Sequence, residues 1–166
     1  MTRKMAVSAS LPADVEAAFG ILTSDAFVAR RAVELGDGAR VVHREADSTG
    51  GLLLAVSREL PGGAPSMVQR FLPADGRVVQ TDHWSAPDDD GVRRGSWRVE
   101  SAGVPAHLEG TMRLEPAAGG CLHVVEGTVT VTVPLIGGKA ESMLVEMTEK
   151  LAAREAELLR QLLADS

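Results

Sequence analysis

The chain has no tyrosine, three phenylalanines and two tryptophans, so aromatic residues make up only 3% of its 166 positions. A core short of rings must be filled by Leu, Val, Met and Ala, which cover less apolar area per residue. That scarcity fits a core with a void or pocket, and it fits a biased codon composition equally well. Basic residues are also in the minority, 17 Lys and Arg against 23 Asp and Glu, for a formal net charge of −6. Phosphate backbones are gripped by concentrated basic surface, and the arginines here are scattered, so nucleic acid is excluded as a general partner. The single cysteine, Cys121, cannot close an internal disulfide and suits a reducing compartment. No apolar run approaches the ~20 residues of a membrane span, and no apolar stretch follows the basic start Arg3-Lys4 as a signal peptide requires. The expectation is a soluble, cytoplasmic protein without integral membrane association.

Against these absences stands ordinary globular content, 45% hydrophobic and 24% charged. With no linker, repeat or low-complexity tract, a single domain over residues 1–166 is expected. Met5, Val7, Ala9 and Leu11 alternate with polar or small residues, which predicts a strand. Pro12 ends it, and Val15, Ala18, Phe19 and Leu22 follow at helical spacing. Thr23-Ser24-Asp25 then opens a second short helix containing Phe27, Val28, Ala32 and Leu35. From Gly38 to Pro134 the period returns to two, in about six segments separated by Gly, Pro or Asp-rich turns. These include a candidate short strand at Met67 to Leu72 and a hairpin around Pro87-Asp88-Asp89-Asp90-Gly91. Successive strands joined by short turns predict an antiparallel meander with one dry face. Last comes a helix over Gly138 to Leu163, whose stripe of Met143, Leu144, Met147, Leu151 and Leu158 needs that dry face as a partner.

This order of elements is the helix-grip plan, and certain segments carry the likeness further. Leu22-Thr23-Ser24-Asp25-Ala26-Phe27, Gly95-Ser96-Trp97, Gly103-Val104-Pro105, Gly110-Thr111 and Val133-Pro134-Leu135-Ile136-Gly137-Gly138-Lys139-Ala140-Glu141 span nearly the whole chain. On them the sequence resembles the START-like (SRPBCC) superfamily of lipid-transfer domains, polyketide cyclases and related ligand binders, and within it an uncharacterised bacterial family of unassigned activity. The resemblance implies an α+β fold in which a curved antiparallel sheet of about seven strands wraps a long C-terminal helix, with two short helices after the first strand. It also implies a cavity between sheet and helix, and no catalytic set.

Motif chemistry is sparse. Gly137-Gly138-Lys139 lacks the preceding glycine and the following Ser or Thr of a phosphate loop, which leaves it a strand-to-helix corner. Cys121 and His123 share a strand face but lie roughly 6–7 Å apart along it, too far for a nucleophile–base pair. His107 and Glu109 have no cysteine pair to complete a deaminase zinc site. No metal and no cofactor are expected. The cavity candidates are Met143, Met147, Leu151 and Leu158 on the helix, Trp97, His43, His83 and Arg58 on the sheet, and Arg154. Arg58 follows Leu52, Leu54 and Val56 in phase. Arg154 falls between Leu151 and Leu158 on the helical wheel, where it would anchor a ligand carboxylate or other polar head, snorkel past the sheet edge, or pair with an internal Asp or Glu.

Three functions remain open. The first is non-enzymatic binding or carriage of a hydrophobic small molecule such as a lipid, isoprenoid or polyketide-like compound. The second is a cyclase or aromatase, which needs little more than a shaped pocket and a few polar groups. The third is a protein-interaction module or homodimer without a ligand.

Overall fold

The computed structural model describes residues 2–59, 66, 70, 75–100 and 103–165. Of the candidate strand at Met67 to Leu72 only Arg70, in a turn, is among those residues; the rest lies outside them. Strand β1 (Thr2–Leu11) is followed by helices α1 (Val15–Leu22) and α2 (Asp25–Glu34). Six strands come next: β2 (Arg40–Ala46), β3 (Leu52–Glu59), β4 (Arg77–Trp84), β5 (Arg93–Glu100), β6 (Ala106–Ala117) and β7 (Gly120–Val131). Helix α3 (Gly137–Ala164) closes the described chain with 28 residues.

Both short helices begin where side chains can satisfy their first amides. Asp14 accepts from the Ala17 N–H at 2.8 Å, and Ser24 accepts from the Phe27 N–H at 3.0 Å. The strands form one antiparallel sheet in the order β1-β7-β6-β5-β4-β3-β2, so every neighbouring pair except β1–β7 is consecutive in sequence. Helix α3 packs on β1 and β7 and reaches α1 and α2. This is the helix-grip arrangement, with Leu114, Val129, Leu144, Leu158 and Leu159 buried between the layers.

The corner into α3 is held by a buried carboxyl side chain. Glu141, which the helical wheel places away from the apolar stripe, is completely buried and accepts the Val131 N–H at 2.8 Å. It thereby ties the first turns of the helix to the end of β7. Gly137 is required beside it, because a Cβ there would stand 2.8 Å from the Val131 carbonyl oxygen.

The inner face of the sheet is fixed by register. Trp97, Gly110, Gly127 and Met5 are successive cross-strand partners on β5, β6, β7 and β1. On β4 the phase containing Val78, Gln80, Asp82 and Trp84 borders the space under the helices, while His83 is exposed on the opposite face. A register shift between Val41 and His43 changes the phase of β2 midway.

Candidate functional site

Between the inner sheet face, α2 and the middle of α3 lies a cavity of about 170 Å³. An apolar cavity of ~150 Å³ already admits a benzene-sized molecule. Its floor is aliphatic and aromatic, including Leu54, Val78, Trp84, Trp97 and Met112, and its roof includes Leu144, Met147 and Leu151. Phe27 and Val28 of α2 border one end. Most of this wall offers a ligand only dispersion and desolvation.

Set into the wall is a small group of polar side chains. Arg58 is 8% exposed; its Nη2 donates to Gln80 Oε1 at 3.0 Å, and Gln80 Nε2 donates onward to Asp82 Oδ1 at 3.0 Å. Burial pushes the Asp82 carboxyl up to about 6, against the opposing pull of the Gln80 hydrogen bond and the charges of Arg58 and Arg31. Burial also lowers the Arg58 guanidinium to about 10, so it stays a cation at neutral pH. His123, on β7, is driven down to about 4 by burial alone and is neutral. Its ring lies 6.5 Å from that of Trp84, centroid to centroid.

Three residues of this wall carry a buried polar atom with no hydrogen-bond partner among the described residues: Arg58 Nε, Trp84 Nε1 and His123 Nε2. Orphaned buried groups of this kind are rare and costly, and here they gather around one space. At the cavity's edge Arg31 is differently placed. It pairs with Asp37 at 2.9 Å and with Glu155 of α3, joining the second helix to the long one.

Of the residues singled out in the sequence, Arg58, Trp97, Met147 and Leu151 line this cavity. The others do not. Leu158 is buried in the core next to it, and Met143 is half-buried outside it. His43 is exposed and pairs with Glu45 at 3.2 Å, because the β2 irregularity just before it shifts its phase. His83 is exposed because its phase of β4 faces outward. Arg154 does not point into the sheet–helix space; it is exposed and donates to the Glu34 carbonyl oxygen at 3.1 Å, off the end of α2.

The physical reason lies in α3. Its buried arc is centred roughly 60° from the centre of its apolar stripe, at 100° per residue. Small or polar residues that carry little weight on a hydrophobic wheel, Glu141, Thr148, Ala152 and Glu155, occupy the inner side instead. Gln80, Asp82 and His123 escape the sequence reading for a related reason. They are polar residues on the inner phase of their strands, and alternation points to the dry face only where apolar residues mark it.

Comparison with known proteins agrees with the architecture. Residues 6–163 match the family described as "Protein of unknown function (DUF2505)". Among solved structures, TTHA0849 from Thermus thermophilus superposes with a TM-score of 0.63 at 15% identity, covering 98% of each chain. The Zhui aromatase/cyclase from Streptomyces sp. R1128 gives 0.62 at 12% identity, covering 99% of this chain and 94% of its own. A START superfamily protein from Mycobacterium smegmatis gives 0.58 at 18%, covering 97% and 98%. At such identities the likeness is one of fold. No curated protein matches the chain in sequence.

Proposed function

We propose, for a chain that belongs to the DUF2505 family and folds as a START-like helix-grip domain, that it binds and carries a hydrophobic small molecule in the sheet–helix cavity. The observation that carries this reading is that three residues lining one mainly apolar space, Arg58, Trp84 and His123, each hold a buried polar atom with no partner among the described residues. A core built only for stability gains nothing from three such groups, whereas a ligand with polar atoms at one end satisfies them and gains from the apolar wall. A lipid, isoprenoid or polyketide-like molecule has that character. The fold supports the reading too, since the long helix packs over the sheet and roofs the cavity.

A second reading, a cyclase-type enzyme, is favoured by one observation. The Asp82 carboxyl borders the cavity and is pushed up to about 6, where a general acid or base works well near neutral pH. The fold shared with an aromatase/cyclase supports the same option.

Native mass spectrometry of the protein purified from its own host tests the first reading. A bound small molecule lost on denaturation is expected. Protein that arrives empty and shows no thermal shift with any member of a panel of small apolar compounds would overturn it. Turnover of a polyketide-like substrate that is lost in Asp82→Asn, with binding kept, would move the assignment to the second reading.

A further inference from the structure

Among the described residues three arginines are buried, Arg31, Arg58 and Arg93. Two of them follow the rule that a buried cation takes a carboxylate partner. Arg31 has Asp37 and Glu155. Arg93 forks onto both oxygens of Glu16 at 2.7 and 3.0 Å and also donates to the Gly50 and Ser85 carbonyls.

Arg58 breaks the rule. Its guanidinium meets a neutral amide, that of Gln80, and among the described residues its Nε has no partner and no carboxylate forms an ion pair with it. Asp82 is the nearest acidic group along the same face of β4, but Gln80 stands between the two and holds each by a separate hydrogen bond. Asp37 and Asp82 act on Arg58 through space, yet no described carboxylate touches it; a buried cation without a contacting counter-ion is costly, and Arg58 is one while lining the cavity.

We propose that Arg58 is the carboxylate receptor of this cavity and that the ligand class is an apolar monocarboxylic acid. The assignment rests on the cavity being a ligand site and goes on to name what it selects. A carboxylate accepts from the guanidinium fork through two oxygens, engages the orphaned Nε and supplies the negative charge in direct contact that Asp37 and Asp82 do not. Its tail then lies against Trp97, Leu54 and Met147. The volume suits a single ring or a chain of modest length rather than a diacyl lipid.

One further property follows from the neighbours of Asp82. Arg58 on β3 and Arg31 on α2 favour its ionised form, as does His83 beside it if charged. Glu100 on β5 and Glu155 on α3 border the same space as acids, and His123 on β7 is neutral. An anion seated on Arg58 masks that cation and adds a negative charge, so Asp82 takes up a proton when the ligand binds. Affinity for the acid therefore rises as the pH is lowered toward 6, and Asp82→Asn binds tightly without that dependence.

Calorimetric titration with octanoate against octanamide, and with benzoate against benzamide, tests this on the unaltered protein. The acid of at least one pair is expected to bind roughly tenfold or more tighter than its amide. Arg58→Met should abolish the preference while circular dichroism shows the fold intact, and Arg58→Lys should restore part of it. An amide that binds as well as its acid overturns the inference and leaves the cavity reading standing, as does an acid preference that survives in Arg58→Met. If no member of either pair binds, and the apolar panel gives no thermal shift either, the cavity reading fails and the inference fails with it.

Discussion

The indole of Trp97 lies across the inner face of the sheet against Gly127, two strands away, and donates from Nε1 to the Glu126 carbonyl at 3.1 Å. A Cβ on Gly127 would stand 2.5 Å from Trp97 Cζ2. The glycine is thus the floor on which the ring rests, and Gly110 between them completes that floor. One of the two tryptophans of this chain is in this way laid flat against the sheet, where it belongs to the buried core and lines the cavity.

Gly127→Ala is therefore expected to destabilise the protein by about 1–3 kcal/mol, the usual cost of overpacking. The added methyl meets the Trp97 ring and, also at 2.5 Å, the Glu109 carbonyl oxygen. Replacing Trp97 by Leu in the same chain should recover only part of the loss, because the backbone contact remains. Urea unfolding of the two variants checks both statements, and full recovery in the double variant would show that the ring alone sets the constraint.

The segments most easily read in the sequence are those whose two faces differ in polarity. Strand β6 alternates from Ala106 to Leu114, β7 does so from Val125 to Val131, and α3 runs to within a residue or so of its predicted ends. The overall plan follows from such elements. The site is less legible. Arg58 is in phase with a clear apolar run and can be placed from it, whereas Asp82, Gln80 and His123 interrupt the apolar phase of their own strands. His43 is displaced from its expected face by one register shift, which no periodicity reveals. Arg154 lies outside the cavity because the arc of α3 that faces the sheet is not centred on its largest hydrophobic residues. The inner positions that escape the pattern carry polar or small side chains, which pattern reading assigns to water.

A second expectation concerns Arg93. Its guanidinium lies 3.7 Å from the centre of the Phe19 ring while forking onto Glu16 and two main-chain carbonyls. Lysine keeps the charge but loses the planar fork and the stacking. Arg93→Lys should cost about 2 kcal/mol or more, since several charge-assisted hydrogen bonds are lost together. Thermal or urea unfolding measures it. A cost near zero would mean that α1 is not pinned to the hairpin strands through this residue.

Helix α3 allows an internal comparison between wall and core. Leu158 is 4% exposed, belongs to the core and does not line the cavity. Met147 is half-buried and faces the cavity. Leu158→Ala should cost about 2–5 kcal/mol, the range of a packed core truncation, and Met147→Ala less than about 2. Adding a ligand of the cavity should protect the wild type more than Met147→Ala. Equal costs for the two truncations would indicate that Met147 is core rather than wall.

The two buried titrating groups of the cavity should pull the pH dependence of stability in opposite directions. Asp82 has its ordinary 3.8 in the unfolded chain and about 6 in the fold. The folded state therefore binds more protons between those values, and its contribution to stability grows as the pH falls through that window. His123 has its ordinary 6.5 when unfolded and about 4 when folded. Here the unfolded state binds more protons, so stability is lost as the pH falls from about 6.5 to about 4. Each effect amounts to about 3 kcal/mol at ~1.4 kcal/mol per pH unit, and in the wild type they largely cancel. Asp82→Asn removes the first and should leave a protein that weakens on acidification more steeply than the wild type. His123→Gln removes the second and should do the reverse. Urea unfolding of the three proteins across that range gives the two difference curves. Parallel curves for all three would mean that neither group is buried as the cavity requires.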